Sequence, residues 1–351
     1  EDEDINENAM MLADSIITPH AGQRDDFWDE EAKALLMGFL LYVATAEEEQ
    51  SNRTLSRVRD LICQGKDAFE LTLEKMANSA NPIVSTTAER TRSKEAKLLS
   101  SVLASLQSHT HFLDSPRIRK SLEVSDFRFE DIKAKPMTIY LVLPADRLQT
   151  FGRWLRLLIQ QAITVNARNI EIKPEKPILF ILDEMAALGR LTMVEQAFSL
   201  MAGFGMQLWG IVQDLSQLER IYEKGWETFI GNSGVVQYFG SRDHKTAEYF
   251  SNLCGVTTVE KFSFTQSLAR AIGFSSSSGP QGTTTGSSST TTFSDSTTED
   301  VAQRHLAYPD ELMVLRDNKE LMIVENFNPI PGKKIVWYSD ENLKNLGISL
   351  Q

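Results

Sequence analysis

Pro177-Ile-Leu-Phe-Ile-Leu-Asp183-Glu184-Met-Ala-Ala-Leu-Gly189 is the stretch on which the fold turns. The apolar run Ile178 to Leu182 suits a central strand buried on both faces of a parallel sheet. It ends in two adjacent carboxylates, and the carboxyl ends of strands in open α/β sheets are where ligands bind. Carboxylate oxygens are hard donors of the kind magnesium takes. The arrangement is that of a Walker B strand: Asp183 in the shell of a magnesium ion beside nucleotide phosphates, and Glu184 against the water that attacks the γ-phosphate. A strand that simply runs into an acidic turn or a helix start would carry the same letters.

The following apolar segment bears on that choice. Gln207-Leu-Trp-Gly-Ile-Val-Gln213-Asp214 ends in an amide that can both donate and accept, where RecA-like motors place a residue that senses the γ-phosphate. Gln213 or Asp214 could equally cap the helix that starts near Leu215. Two polar strand ends side by side in one parallel sheet favour a nucleotide site.

Around these strands the pattern alternates. A β-branched and apolar run, Thr138 to Leu143, reads as a strand buried on both faces and is closed by Pro144. A helix is predicted over 146–166, another near 193–204, short helices over 216–229 and one over 245–253. Strands are predicted at 178–182, 207–212 and 235–239, then at 320–325 and 334–338 after a short helix at 309–314. Strands alternating with helices predict an α/β fold, a mostly parallel sheet with helices on both faces.

The chain before this region has a different texture. Phe27, Trp28, Ala32, Leu35, Leu36, Phe39 and Leu40 recur at three- and four-residue spacing. Further helices are predicted over 55–63, 68–76 and 86–108. The expected organisation is an acidic segment over 1–26 whose opening, Glu1 to Glu7, is a solvated tail, then an all-α domain over 27–135. A RecA-like domain follows over 136–351. It is interrupted over 274–299 by a Ser/Thr/Gly tract in which Phe274 to Thr298 holds no cation, and a mobile loop is expected there.

The chain has 351 residues, 36 Lys and Arg against 48 Asp and Glu, and a net charge of -12. That acidity excludes a surface that coats nucleic acid throughout, while a local basic channel remains compatible. Hydrophobic residues make up 42%, enough for a packed core. Cys63 and Cys254 match no metal or redox spacing and read as buried thiols of a reducing compartment. No stretch reaches the roughly 18–20 apolar residues of a spanning helix.

Several ordered blocks carry a resemblance. Leu182 to Arg190, Met201-Ala-Gly-Phe-Gly205, Ile211 to Leu218, Gly231-Asn232 and Thr246 to Thr258 are similar to the TraG/TraD type of coupling protein of type IV secretion and conjugation. Asp26 to Leu36 resembles the segment that opens that family's helical insertion, and Tyr308-Pro-Asp-Glu-Leu312 the element after its variable loop. The resemblance implies a RecA-like nucleotide-binding domain of the P-loop NTPase type over 136–351, within a hexameric ATPase at the cytoplasmic face of the bacterial inner membrane that uses ATP and Mg2+. Its partners would be relaxase-bound DNA or protein effectors and components of the secretion channel. It implies Asp183 as magnesium ligand, Glu184 and Gln213 as hydrolytic and sensing residues, and an arginine acting across a subunit boundary, for which Arg190 is the first candidate and Arg242 the second.

One motif departs from the family. Gly-x-x-x-x-Gly-Lys-Ser/Thr, whose amides and lysine cradle phosphates, occurs nowhere in the chain. In the family that P-loop and the membrane helices precede the matching region, so the expectation is a cytoplasmic C-terminal portion that by itself binds ATP weakly or not at all. Two other readings remain open. One is a non-catalytic cargo-recognition module built on the helical block, where Arg53, Arg57 and Arg59, then Arg90, Arg92, Lys94 and Lys97, then Arg117, Arg119 and Lys120 are either a contact face or solvated cations with acidic neighbours. The other is a DNA translocase of the FtsK/HerA sort. His109-x-His111 lies at a predicted helix end and reads as structural or capping.

Overall fold

The computed structural model describes residues 3–17, 27–280 and 282–346. His20 and Asp26 lie outside the described residues, as do the first two acidic residues. The chain divides into two units, Glu1–Ser233 and Gly234–Gln351.

In the first unit α1 (Ile5–Ile16) and α2 (Phe27–Thr45) are followed by α3 (Leu55–Ile62), α4 (Lys66–Ala77), α5 (Pro82–Arg92), α6 (Ala96–Thr110), α7 (Pro116–Ser121) and α8 (Asp131–Ala134). Their starts are written in the sequence. The Thr54 hydroxyl accepts from Arg57 N–H at the head of α3, and the Asn81 side chain accepts from Ile83 N–H with Pro82 in the first turn of α5. Leu36, Phe39, Leu61, Leu73, Met76 and Leu106 are fully buried in one core, each contributing about 1.5–3 kcal/mol by leaving water. Helix α2 contributes so many buried positions because it lies at the centre, against α1, α5 and α6. Gly38 lets α5 approach: a Cβ there would stand 2.6 Å from Thr87 Cγ2.

Three expectations change here. The acidic opening is not simply a solvated tail, because Ile5 begins a helix that buries Ala9, Ala13 and Ile16. The helix expected over 86–108 is two helices, parted at Ser93-Lys94-Glu95 so that α5 and α6 can each pack on α2. Cys63 is exposed and only Cys254 is buried.

Helix α9 (Leu148–Arg168) leads into β1 (Ile178–Leu182), α10 (Thr192–Leu200), β2 (Met206–Gly210), α11 (Leu215–Tyr222) and α12 (Glu227–Gly231). Strands β1 and β2 pair in parallel, Ile178 opposite Met206 through Leu182 opposite Gly210. Leu157 of α9 enters the helical core and Phe151 and Trp154 pack on it. The helical block and the β1-β2 layer are therefore packed together in the first unit, which ends at Ser233.

Thr138 to Leu143 belongs to no strand and pairs with none among the described residues. Tyr140 and Val142 point to solvent, 82% and 75% exposed, so the run is covered on one side only. The same holds for the β1-β2 layer, where Ile178 and Leu182 are buried while Leu179, Ile181 and Trp209 are exposed. Both runs were expected to be buried on both faces.

The second unit contains β3 (Val235–Tyr238), α13 (His244–Cys254), β4 (Val256–Gly279), β5 (Gly282–His305), α14 (Pro309–Met313), β6 (Lys319–Val324), β7 (Ile330–Lys333) and α15 (Glu341–Lys344). Strand β6 pairs antiparallel with β3 on one side and β7 on the other. These strands are thus antiparallel where a parallel sheet was expected, and the last strand is Ile330–Lys333 in place of 334–338. The Ser/Thr tract expected as a mobile loop over 274–299 lies instead in a two-stranded antiparallel ribbon, in register from Val256 opposite His305 to Gly279 opposite Gly282. Pairing satisfies the backbone groups that the small polar side chains leave open to water, and the β-branched threonines favour extended backbone. Among the described residues no helix is long and apolar enough to cross a membrane.

Candidate active site

The chemistry-bearing residues gather where β1 and β2 end. Parallel pairing puts Leu182 beside Gly210, and the ladder continues one step as Ile211 N–H donates to Leu182 C=O at 3.0 Å. Asp183 is exposed immediately beyond. Glu184 then adopts a left-handed backbone, φ 53°, before a single 3-10 turn, Met185–Leu188. Met185 N–H donates to Ile211 C=O at 3.0 Å and Ala187 N–H to Glu184 C=O at 2.8 Å, which ties the reversed backbone to the neighbouring strand.

That reversal turns the Glu184 carboxylate toward the other strand end. Gln213 Nε2 donates to Glu184 Oε1 at 3.0 Å and to Oε2 at 3.2 Å. The Gln213 amide oxygen accepts from Gln217 Nε2 at 3.0 Å, which fixes the amide orientation with its N–H2 facing the carboxylate. The capping role falls to Asp214, whose carboxylate accepts from Gln217 N–H at 2.7 Å to start α11. The two alternatives for Gln213 and Asp214 are thus divided between the residues. Gln213 is left to face Glu184.

Beside this cluster lies a cleft of about 570 Å³. Met137, Ile139 and Leu141 form one wall, β1 the other, Leu155 and Ile159 of α9 line it as well, and Asp183 stands on its border. A single exposed carboxylate next to an open cleft fits magnesium, which keeps several waters and takes one or two carboxylates together with phosphate oxygens.

Arg190 is exposed, two residues beyond the end of the 3-10 turn that follows Glu184. Arg242 is exposed in the second unit, in the loop before α13. His109 is buried, accepting at Nδ1 from Arg153 at 3.1 Å and donating from Nε2 to Asp29 at 3.0 Å. Many of the cations of the helical block have acidic partners: Arg57 pairs with Glu49, Arg59 with Asp114, Arg90 and Lys94 with Glu31, Arg92 with Glu70, and Arg119 with Asp60.

Sequence reasoning missed one residue of this region. Arg156 of α9 is 8% exposed and donates from Nη1 to Leu188 C=O at 2.8 Å, on the turn that carries Glu184. Burial pulls its guanidinium down to about 10. An arginine on the apolar side of an amphipathic helix was the available signal.

The sequence matches the family described as type IV secretory system conjugative DNA transfer over residues 1–350. The chain belongs to that family. Within the conjugative DNA transfer family it is similar to Protein VirD4 of Agrobacterium fabrum (strain C58 / ATCC 33970), 26% identical over 338 residues covering 95% of this chain and 47% of that protein. The chain therefore spans about half the length of the curated relatives it matches. The fold is that of the bacterial conjugative coupling protein TrwB: its unbound form superposes with a TM-score of 0.65 at 14% identity, covering 93% of this chain and 68% of that one. TrwB in complex with ADP and Mg2+ matches with a TM-score of 0.64 at 14% identity over the same shares. The expected α/β, RecA-like fold class is borne out by these likenesses.

Proposed function

We propose that the chain is the ATP-hydrolysing region of a coupling protein. It serves conjugative DNA transfer by recruiting relaxase-bound DNA or protein effectors and passing them to a type IV secretion channel. The observation that carries the reading is the Glu184-Gln213 hydrogen bond joining the carboxyl ends of two parallel strands beside the Asp183 cleft. Family membership and the complex of TrwB with ADP and Mg2+ support it. Assembly as a hexamer at the bacterial inner membrane, with channel components as partners, belongs to the same proposal and rests on family resemblance.

Asp183 is the residue that would hold Mg2+, and the metal when bound supplies charge neutralisation at the phosphates of ATP. Glu184, held by the Gln213 amide and by its turn, is placed to accept a hydrogen bond from the attacking water and orient it. Gln213 links that carboxylate to the head of α11, so displacement of either side chain is felt by the other. Arg190 is the proposed arginine acting on a neighbouring subunit.

Glu184→Gln in the full-length protein tests the reading, with ATP turnover and nucleotide affinity measured together. Turnover should be abolished and affinity kept; unchanged hydrolysis overturns the assignment.

A further inference from the structure

Burying a guanidinium is costly unless its donors are satisfied. Arg156 is buried in the first unit with a backbone carbonyl, Leu188 C=O, as the hydrogen-bond partner of Nη1, and its Nε is buried without an acceptor. Fold stability alone would be better served by methionine or leucine at this point of α9, whose neighbours Leu155, Leu157 and Ile159 are all buried. The carbonyl it holds is the last of the Met185–Leu188 turn, which follows directly on Glu184 and its left-handed backbone, a conformation that a glutamate seldom adopts.

The surroundings are built around this contact. Gly189 has φ +70°, and a Cβ there would come within 3.2 Å of Arg156 Nη1, so the guanidinium occupies space that a side chain would need. From the other side the Tyr222 hydroxyl of α11 accepts from Leu191 N–H at 3.4 Å. Arg156 is presented by a helix that is itself anchored: one turn earlier, Arg153 bonds the buried His109, which bonds Asp29 of α2. The end of the Glu184 turn is thus gripped by side chains from two helices, and one of those helices is pinned to the helical block.

We infer that Arg156 is a positioning residue for the hydrolytic carboxylate, fixing Glu184 against Gln213 by clamping the carbonyl at the end of its turn. The inference rests on the proposed role of Glu184 and adds a residue from a helix that carries none of the motif. Displacing a reacting group by about 1 Å can cost roughly a hundredfold in rate, so loss of the clamp should act on the chemical step and spare nucleotide binding.

The test uses Arg156→Met and Arg156→Lys in the full-length protein, with Glu184→Gln as reference. Turnover and nucleotide affinity are followed together with amide hydrogen exchange of residues 185–189. Arg156→Met should lower kcat about tenfold to a hundredfold with KM and nucleotide affinity unchanged, and speed exchange at Ala187 and Gly189 but not in β1. Arg156→Lys, which keeps one donor, should recover part of both. Parental kcat in either variant while Glu184→Gln is inactive overturns the inference alone, as does a kcat loss that lysine leaves wholly unrecovered. If Arg156→Met does not fold, the lysine variant decides by the same readouts, intermediate kcat and exchange supporting and parental values refuting. Hydrolysis that survives Glu184→Gln overturns the site assignment itself.

Discussion

Arg59 and Asp114 form a pair whose two halves should be unequal in a predictable direction. Arg59 Nε and Nη2 donate to the two carboxylate oxygens of Asp114 at 2.9 and 2.6 Å, while Nη1 donates to Gln107 C=O at 2.9 Å and Thr110 Oγ1 at 2.8 Å. The guanidinium side chain is 8% exposed and the carboxylate 54%. Asp114→Ala strands a buried charge that keeps two neutral acceptors, and removal of one partner of a buried pair costs about 3–5 kcal/mol; the two surviving bonds put the expected loss at about 3. Arg59→Met leaves a carboxylate that water can reach and that keeps Arg119 at 3.7 Å, so its cost is that of the lost bonds to Gln107 C=O and Thr110 Oγ1 and part of the ion pair, about 1–2 kcal/mol. Urea unfolding of the chain, followed by helical circular dichroism, measures both. An Arg59→Met cost equal to or above that of Asp114→Ala would refute the reasoning. Acidity gives a second check. The Arg59 hydrogen bonds hold the Asp114 carboxyl below its ordinary range. A depressed folded pKa contributes stability above the unfolded value of about 3.9, and that contribution is lost as pH falls through the folded value. The gap between parent and Asp114→Ala should therefore be constant from about pH 5 to 7 and close below about pH 4.

Gly189→Ala should cost about 1–2 kcal/mol in urea unfolding, because φ is +70° and the new methyl meets Arg156 Nη1, and it should lower turnover in the full-length protein. Asp214→Ala removes the cap at Gln217 N–H, for a loss of about 1 kcal/mol in the same assay. Since Gln217 also orients Gln213, kcat should fall with it. Phe39→Ala empties a fully buried site against Phe69, ring centroids 5.9 Å apart, and should cost about 3–5 kcal/mol, read as a lower urea midpoint at unchanged slope.

Much of this was legible in the letters because local physics wrote it. Leu35, Leu36 and Phe39 keep helical spacing because α2 buries that stripe, and Asp183 and Gln213 follow apolar runs because strands end where polar groups reach solvent. What escaped depends on partners distant in sequence. The apolar run Thr138 to Leu143 has strand composition, yet a ladder needs a neighbour that composition cannot guarantee. In the acidic opening, four charged residues at the start masked the spacing of Ile5, Ala9, Leu12 and Ala13 that packs α1 on α2. The Ser/Thr tract lacked any apolar alternation of its own on the second strand, so its pairing with Val256 to Gly279 was invisible. Arg156 and His109 act on groups 32 and 80 residues away, Leu188 and Asp29, and no spacing rule covers such separations.

The left-handed backbone of Glu184 has a consequence for how this protein can change. Most residues with a Cβ pay roughly 1–2 kcal/mol to sit there, while glycine, which has none, and asparagine, whose short amide bonds the local backbone, are better tolerated. Selection for thermal robustness alone would drift toward asparagine at this position, gaining a few tenths to about 1 kcal/mol and losing the carboxylate. With Glu184 in its proposed role, stability and turnover are opposed at this one position. A screen for hardier variants of the protein should enrich Glu184→Asn among inactive survivors, whereas a screen that also demands transfer should return glutamate with its strain intact.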